Sequence, residues 1–380
     1  MITVPEPIFI EQDLDKIVAE NIAIWERVTG KVLHPAQVER AFIDLIAYRE
    51  YLIRQGIQEA AKKNLLAYAT YPVIDYLGEI YGVLRLAAIP ATTQLQISLD
   101  EAQAADIIIP SGWRVETTDG NVQFLTDEAV IIPAGEISRT VWATAKTAGA
   151  LGNGYLPGTV SVILDPLPHV VEVVNLDTTS LGADTETDDQ FRERIRLAPE
   201  KYSTAGSRES YRFWALSAHP DVLDIEVKRT APGYLDVYVL SKSGIPTDSL
   251  VEIVDNAISG DRVRPLTDNV NTTKPSSVEF SVSALITLLD GADAPTVLSL
   301  LNSALDTYSL EMRSKLGRDI VPAQLYSRLT AVEGVYNCDL TITIGTEEYK
   351  VPQTRVLDRN EFGNLVRLPN DITITGTANG

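Results

Sequence analysis

The stretch that decides the fold, residues 109–160, reads IPSGWRVETTDGNVQFLTDEAVIIPAGEISRTVWATAKTAGALGNGYLPGTV. It contains two motifs of the form Ile-Pro-small-Gly, at 109–112 and 132–135, and each stands beside a short run of β-forming residues. Proline fixes φ at the first central position of a turn, and glycine tolerates the positive φ that can follow. Both motifs therefore predict turns that join strands.

The runs between these turns predict a compact all-β module. Residues 113–117 alternate between apolar and polar, Asp119-Gly120 suits a hairpin turn, and residues 122–126 return. The glycine-rich segment 149–158 leads into a strand and not into a helix, so it is a loop with no phosphate-binding role. Further strands are predicted at 95–99, 140–145, 160–164 and 170–174. The module spans 91–178 and contains no catalytic motif.

Helices are predicted before this module. Apolar residues at helical spacing indicate a helix over 13–28, which Gly30 ends, a long helix over about 36–69, and a short one over 73–80. The stripe of the long helix comprises Val38, Phe42, Leu45, Ile46, Ile53, Ile57 and Ala60, widened by Tyr48, Tyr51 and Leu52. Two interpretations remain open, since such a stripe can pack on its own domain or bundle with helices of other chains.

After the β module, the pattern indicates two related α+β units. A helix followed by a strand occurs at 211–228 and again at 322–344, and an offset of 113 aligns Leu216 with Leu329. The polar segment 261–277 is predicted to link the units, and residues 371–375 to form a final strand. The expected fold class is multidomain α+β, with N-terminal helices, a central all-β module and two related C-terminal α+β units. The expected domains are 1–90, 91–178, 179–270 and 271–380.

Three motifs, taken in order, carry a family resemblance. The first is the 109–160 stretch, the second is GADTETDDQFRER at 182–194, and the third is STAGS at 203–207, followed by a helix and HPDV at 219–222. This order resembles the baseplate J-like proteins of contractile phage tails and related injection particles, over roughly residues 30–345. The sequence departs from the family pattern at Tyr71-Pro72, where a small residue is usual.

The resemblance implies a structural subunit of the baseplate wedge, without enzymatic activity or cofactor. It implies that the final strand, 371–375, returns to the second sheet. It also implies that the N-terminal helices join a core bundle with a tail protein I-like subunit, near a lysozyme-like sheath initiator. Copies of the chain would form a six-fold ring around the tail hub and spike, in a virion tail baseplate assembled in the bacterial cytoplasm. The interface residues expected from the apolar stripes are Trp25, Val38, Phe42, Leu45, Tyr48, Leu52, Leu325 and Leu329.

Composition excludes some alternatives. Asp plus Glu outnumber Lys plus Arg by 52 to 32, which gives a net charge of −20. Nucleic-acid binding through phosphates needs a basic face, and an anionic membrane surface would repel this chain. The single cysteine, Cys338, allows no intrachain disulfide, and its apolar surroundings favour a packing role over a nucleophilic one. The sequence shows no signal peptide and no apolar run of membrane-spanning length.

Candidate chemistry is sparse. His34, His169 and His219 lie far apart, without metal-ligand spacing. The alternating acids at 184, 186 and 188 fit the first half of a calcium loop, but Asp189 replaces the turn glycine and Ile195 replaces the bidentate glutamate. We expect instead that Thr187 and Gln190 form a helix capping box. A hydrolase built on two carboxylates is a weaker hypothesis.

The aromatic residues of the β module leave one further alternative. Trp113, Phe124, Trp142 and Tyr155 could present a surface that binds a host receptor or glycan. Packing in the module core and across strands is the interpretation we favour for them.

Overall fold

A computed structural model describes residues 5–203, 206–260, 263–265 and 267–378. The chain divides into two compact units. The first holds the residues up to 85 together with 187–196, and the second holds 86–186 and the residues from 197 onward. The chain therefore leaves the first unit, returns to it for ten residues, and leaves again.

The helices are α1 (Leu14–Thr29), α2 (Val38–Lys63), α3 (Val73–Ile80), α4 (Asp188–Leu197), α5 (Arg208–Ala218), α6 (Asp248–Ile258), α7 (Ala294–Arg313) and α8 (Pro322–Thr330). The strands up to residue 175 are β1 (Thr92–Leu99), β2 (Ile107–Ile109), β3 (Arg114–Thr117), β4 (Gln123–Thr126), β5 (Val130–Ile132), β6 (Ser138–Ala145), β7 (Val160–Ile163) and β8 (Val170–Asn175). The later strands are β9 (Val222–Ala231), β10 (Tyr234–Ser241), β11 (Asn269–Thr273), β12 (Ser276–Leu289), β13 (Val335–Ile344), β14 (Glu347–Tyr349), β15 (Glu361–Leu365) and β16 (Ile372–Ala378).

In the first unit, helix ends follow local chemistry. The Asp13 carboxylate accepts hydrogen bonds from the first turn of α1, and Gly30 ends that helix with φ of 70°. Helix α2 ends at Lys63, six residues before the expected Ala69, so the predicted end was wrong. The Asn64 side-chain amide donates to the Ala60 carbonyl oxygen, and Leu65 N–H turns back to Lys62. Asparagine competes in this way for backbone groups and favours helix ends.

The β module forms a six-stranded sheet that closes nearly into a barrel. Its order is β7-β3-β4-β6-β1-β8, and each strand pairs antiparallel with its neighbours in this order. Residues of β1 alternate strictly between half-buried and buried, so Leu95, Ile97 and Leu99 face the core as expected. The buried Asn175 side chain accepts from Val160 N–H at 2.9 Å, which ties β8 to the start of β7. A separate two-stranded ribbon, β2 with β5, packs one face on the same core.

The two α+β units share one sheet arrangement in permuted chain order. In the first, β9 pairs antiparallel with β10, and β10 pairs parallel with β11. In the second, β13 pairs antiparallel with β12, and β12 pairs parallel with β15 and β16. The helix-then-strand pairs that the offset aligned, α5–β9 and α8–β13, occupy corresponding places. In the second unit, however, the strand-then-helix pair comes first along the chain.

The predicted fold class is confirmed, and the expected return of the final strand is confirmed by β16. The prediction of a linker over 261–277 was wrong, because this segment contains β11 and the start of β12. Strand β11 is an edge strand that pairs through its backbone, so its sequence, NVNTT, needs little apolar character. Strands β14 and β15 were not predicted.

Candidate assembly interface

The candidate site is the surface of the N-terminal helices, and an extended arm lies along α2. The buried Gln58 side chain accepts from Phe9 N–H at 2.8 Å and donates to the Pro7 carbonyl oxygen at 2.7 Å. Lys62 pairs with Glu6 at 2.7 Å, and this contact helps to raise the Lys62 pKa. The arm is thus held through its backbone, which leaves the side chains of Ile8 and Phe9 exposed.

The contact between α1 and α2 is small and largely polar at its rim. Ile17 of α1 and Ile43 and Ala47 of α2 are buried. Beside them, Glu50 accepts from Asn21 at 3.1 Å and pairs with Arg54 at 2.6 Å. The Arg54 hydrogen bond is the main reason for a lowered pKa of Glu50. These few contacts set the hairpin geometry but bury little apolar surface.

The predicted stripe of α2 points to solvent. Its members Val38, Phe42, Leu45, Tyr48 and Leu52 expose 71%, 63%, 57%, 50% and 46% of their surface. The further apolar residues Ile46, Ile53 and Ile57 are exposed as well. The stripe therefore does not pack on its own domain, which removes the first of the two interpretations.

The other predicted interface residues have different surroundings. Trp25 is half-buried on α1. Leu325 and Leu329 were misplaced in the predicted interface, because both are fully buried in the core of the second α+β unit. The apolar face of α8 packs on its own sheet, so these two side chains are not available to a partner.

The sequence predicts an arm over residues 1–12 but not its path along α2, and sequence reasoning missed Gln58, which holds it there. The face of α2 that packs inward reads Ile43, Ala47, Glu50, Arg54 and Gln58, at spacings of three and four residues. Because three of these five are polar, a search for apolar periodicity finds the outer stripe instead. The available signal was Gln58, because it continues the spacing of the inward row although it is polar.

The motif at 187–194 has a structural role within the first unit. Its residues on α4 contact α3 and residues 66–85, and we call this set of contacts the clasp. Thr187 Oγ1 accepts from Gln190 N–H and the Gln190 side chain faces back to Thr187 N–H, both at 3.4 Å, which confirms the capping box. Phe191 packs against Gly78, where an added Cβ would lie 2.5 Å from the Phe191 Cζ. Arg192 donates to the carbonyl oxygens of Leu66 and Ala69 at 2.8 Å.

Arg85 closes this clasp. Its guanidinium contacts Asp75 at 2.6 Å and Asp188 at 2.7 Å, and lies 4.9 Å from the centre of the Phe191 ring. Burial opposes the charge of Arg85, but the hydrogen bonds that its guanidinium donates to Asp75 and Asp188 outweigh this effect and raise the Arg85 pKa. Asp188 also accepts from Tyr71 N–H at 3.1 Å, so it is occupied by protein partners.

The first half of the motif, residues 182–186, makes its contacts within the second unit. Asp184 Oδ1 accepts from Ala150 N–H at 2.9 Å, and Gly182 exchanges hydrogen bonds of 2.7 Å with the Asn153 side chain. The buried Glu186 accepts from Leu86 N–H at 3.0 Å. The acidic residues 184, 186 and 188, which resembled part of a calcium loop, thus accept hydrogen bonds from backbone N–H groups. Among the described residues, no group of three or more His, Cys, Asp or Glu is placed to bind a metal ion.

The remaining candidates for chemistry are dispersed or buried. His219 is 3% exposed, and burial lowers its pKa. Burial also raises the pKa of the Cys338 thiol to about 11, which suits the expected packing role. Trp113 and Phe124 lie in the barrel core, Tyr155 is half-buried with its hydroxyl on Asp119, and Trp142 is exposed. These four aromatics therefore form no shared platform.

Within the described ranges, no helix is long and apolar enough to cross a bilayer. The surface that stands out is thus the apolar face of the N-terminal helices. Its chemistry suits burial against other helices, since it offers apolar area and no reactive group.

Comparison with known proteins agrees with the resemblance. Four models of one family match in sequence order: the baseplate J-like N-terminal domain at 41–92, the barrel domain at 91–182, the central domain at 203–274 and the C-terminal domain at 280–360. The chain belongs to the baseplate J-like family. Its expected place, a tail baseplate, is confirmed by these matches and by the relatives that follow.

Three curated relatives are baseplate proteins of phages. The chain is 33% identical over 157 residues to baseplate protein J of Escherichia phage P2, covering 41% of this chain and 51% of that protein. It is 28% identical over 170 residues to putative baseplate protein gp29 of Haemophilus phage HP1, covering 42% of each. It is 31% identical over 136 residues to baseplate protein gp47 of Escherichia phage Mu, covering 36% of each. The matches span about half the length of these relatives or less.

A solved structure with a similar chain is the six-fold symmetrised baseplate of the anti-feeding prophage. The similarity covers 92% of this chain and 90% of that chain, at 13% identity and a TM-score of 0.44.

Proposed function

We propose that this chain is a structural wedge subunit of a contractile-tail baseplate whose N-terminal helices bundle with helices of other wedge proteins. One observation carries the proposal. Among residues 5–64, four apolar residues are buried, Ile17, Leu33, Ile43 and Ala47. Fourteen large apolar residues in the same segment are exposed: Ile8, Phe9, Leu14, Ile24, Val28, Val32, Val38, Phe42, Leu45, Ile46, Tyr48, Leu52, Ile53 and Ile57.

The spacing of the exposed residues supports a helical partner. Val38, Leu45 and Leu52 recur every seven residues, and Ile46 and Ile53 do the same beside them. A seven-residue apolar repeat is the pattern with which helices pack along one another. An apolar patch of this length on a soluble chain is the mark of an interaction surface.

Burial of the outer face of α2 would supply a large part of the free energy that a stable bundle needs. Fully burying a valine, leucine, isoleucine or phenylalanine side chain stabilises by about 1.5–3 kcal/mol. Eight outward residues of α2 that are roughly half-exposed could together contribute on the order of 10 kcal/mol. Association costs about 4–15 kcal/mol, so partners that also cover the exposed residues of α1 and the arm would bind stably.

The proposed partners are those implied by the family. A tail protein I-like subunit would supply helices to the bundle, and a lysozyme-like sheath initiator would sit next to it. The C-terminal α+β units would contact further copies, in a six-fold ring around the hub and spike. During contraction the wedges would move as rigid bodies about their interfaces, a switch that needs no active site.

Variants of the apolar stripe test the proposal. Leu45→Lys with Leu52→Lys places two charges on the outer face of α2, and Leu156→Lys, at an exposed residue of the β module, is the matched control. All of these chains should stay folded by circular dichroism. In cells that produce the particle, the double variant should be absent from purified particles and recover no wedge protein in a tagged pull-down. The control should be incorporated normally.

Normal incorporation of the double variant would contradict the proposal. Recovery of the wild-type chain alone, as a monomer, from particle-producing cells would contradict it as well. Mass spectrometry of the pull-down, together with negative-stain images of ring or star-shaped complexes, distinguishes these outcomes.

A further inference from the structure

A second apolar surface lies on the β2–β5 ribbon of the barrel module. The ribbon pairs Ile107 with Ile132, Ile108 with Ile131, and Ile109 with Val130. Ile109, Val130 and Ile132 are buried in the barrel core. The middle pair points the other way, because side chains alternate along a strand.

Ile108 and Ile131 therefore stand directly opposite one another on the outer face. Their exposed fractions are 64% and 51%. A strand with one face to solvent normally carries polar residues there. The fold of the barrel does not require isoleucine at these two positions, since neither side chain contributes to its core.

The surroundings of this pair carry one sign of charge. The segments 100–109 and 127–137, which contain the two strands, hold six carboxylates and neither lysine nor arginine. The six are Asp100, Glu101, Asp106, Asp127, Glu128 and Glu136, and all are exposed. By the ribbon register, Asp106 and Glu136 flank one end, and Asp127 and Glu128 the other.

Few of these charges are neutralised inside the chain. Glu136 pairs with Arg139 at 3.5 Å, and Asp100 lies 3.5 Å from the His169 imidazole. Asp106 accepts from Ala134 N–H at 2.9 Å, which leaves its charge in place. In the described part of the chain, no cation forms a salt bridge with Asp106, Asp127 or Glu128.

We propose that the Ile108–Ile131 ribbon is a docking surface for a different protein, one that presents an apolar segment flanked by lysine or arginine. Complementary charge favours such a partner and speeds its association. A second copy of this chain is disfavoured, because two acid-rimmed ribbons would repel and the whole chain carries a net charge of −20. The surface is separate from the helical stripe and does not depend on its role.

A photo-crosslinker tests the partner and its chemistry. p-Benzoylphenylalanine is placed at Ile131 of the full chain in particle-producing cells, and the crosslinked peptide is sequenced by mass spectrometry. We expect a segment of another protein with apolar residues between lysines or arginines. A crosslink to a second copy of this chain, a crosslink to an acidic or neutral segment, or no crosslink would each overturn the proposal.

A charge-reversal variant tests the role of the acids. Asp106→Lys, Asp127→Lys and Glu128→Lys together should reduce the Ile131 crosslink at least fivefold. The matched control reverses three exposed acids elsewhere, Glu252, Asp339 and Glu348, and should leave the yield unchanged. Equal yields from both triple variants would overturn the electrostatic argument.

A third labelled position separates this inference from the proposed function. p-Benzoylphenylalanine at Phe42 reports on the helical bundle in the same cells. A crosslink at Ile131 without one at Phe42 would refute the helical bundle and leave the ribbon proposal standing. A crosslink at Phe42 without one at Ile131 would refute the ribbon proposal alone.

Discussion

Helices α2 and α7 are the two longest in the described part of the chain, at 26 and 20 residues, and they differ in what covers their apolar stripes. In α7, Val297, Leu301, Leu305, Tyr308 and Met312 are buried within the core of the second α+β unit. In α2 a stripe of similar spacing faces solvent, and the inward row is partly polar. Helix α7 packs its apolar stripe into a core of this chain, whereas the apolar stripe of α2 stays exposed.

The comparison shows that periodicity predicts a helix and a stripe but does not identify the surface that covers the stripe. Tertiary packing supplies most helical stability in proteins. A helix whose stripe is uncovered therefore depends on partners for much of its stability. The N-terminal unit and the α+β units should respond differently to equivalent changes.

The largest contrast is expected from matched leucines. Leu301→Ala removes a fully buried side chain and should destabilise the chain by about 2–5 kcal/mol. Leu45→Ala, on α2, should change the stability of the free chain by no more than about 0.5 kcal/mol. Urea unfolding followed by circular dichroism measures both, and comparable losses would show that α2 is covered within the chain.

A substitution at Gly78 should show where the first unit is tightly packed. An added Cβ would lie 2.5 Å from Phe191 Cζ and 2.8 Å from the Val83 carbonyl oxygen. Gly78→Ala should therefore cost about 1–3 kcal/mol, the usual range for overpacking. Combining it with Phe191→Leu should recover part of the loss. A neutral Gly78→Ala would mean that the clasp between α3 and α4 is loose.

The pH dependence of stability should separate the α+β half from the helices. Burial raises the pKa of Asp221 from 3.8 to about 6, and the nearby Lys242 charge offsets only part of this. Between about pH 4 and 6 the folded state holds the proton more tightly, so stability is lost as pH rises through this window. Asp221→Asn should therefore stabilise by about 1–2 kcal/mol near pH 7.5 and by nothing near pH 4.

Thermal melts at the two pH values check this. If the two units unfold in separate steps, only the step of the unit containing Asp221 should move. A gain of equal size at pH 4 would contradict the assignment to the carboxyl group.

The smallest effect is expected at Gly56, an exposed glycine inside α2. A Cβ there would meet no atom within 4 Å, in contrast to Gly78. Gly56→Ala should stabilise the free chain by about 0.5–1 kcal/mol, because alanine favours the helix. If a partner helix packs closely at this position, the same change should lower incorporation into particles. A loss of stability in the free chain would indicate a neighbour that the structure does not contain.

Much of the fold could be predicted from the sequence because its signals are local. The β module follows from its turns, where Gly112, Gly120 and Gly135 adopt positive φ. Helix α6 follows from equally local signals, since Thr247 caps its first turn and its apolar residues recur regularly. The apolar stripe of α2 could be predicted for the same reason, and its residues are exposed.

What could not be predicted depends on pairing between distant segments. Strand β11 is polar and becomes a strand only because β10 offers a parallel edge. Leu325 and Leu329 share the periodicity of an interface stripe, yet the sheet formed by β12 and β13 covers them. The inward row of α2 was missed because Arg54 and Gln58 use their polar groups to hold Glu50 and the arm.

The path of the chain has a consequence in time. Residues 187–196 complete the N-terminal unit, and residues 86–186 are synthesised before them. At about 5–20 residues per second, a bacterial ribosome needs roughly 5–20 s to make that intervening segment. During this interval the apolar face of α2 leaves the ribosome while Gly78 still lacks Phe191. The N-terminal unit is thus the first to be made and not the first to be finished.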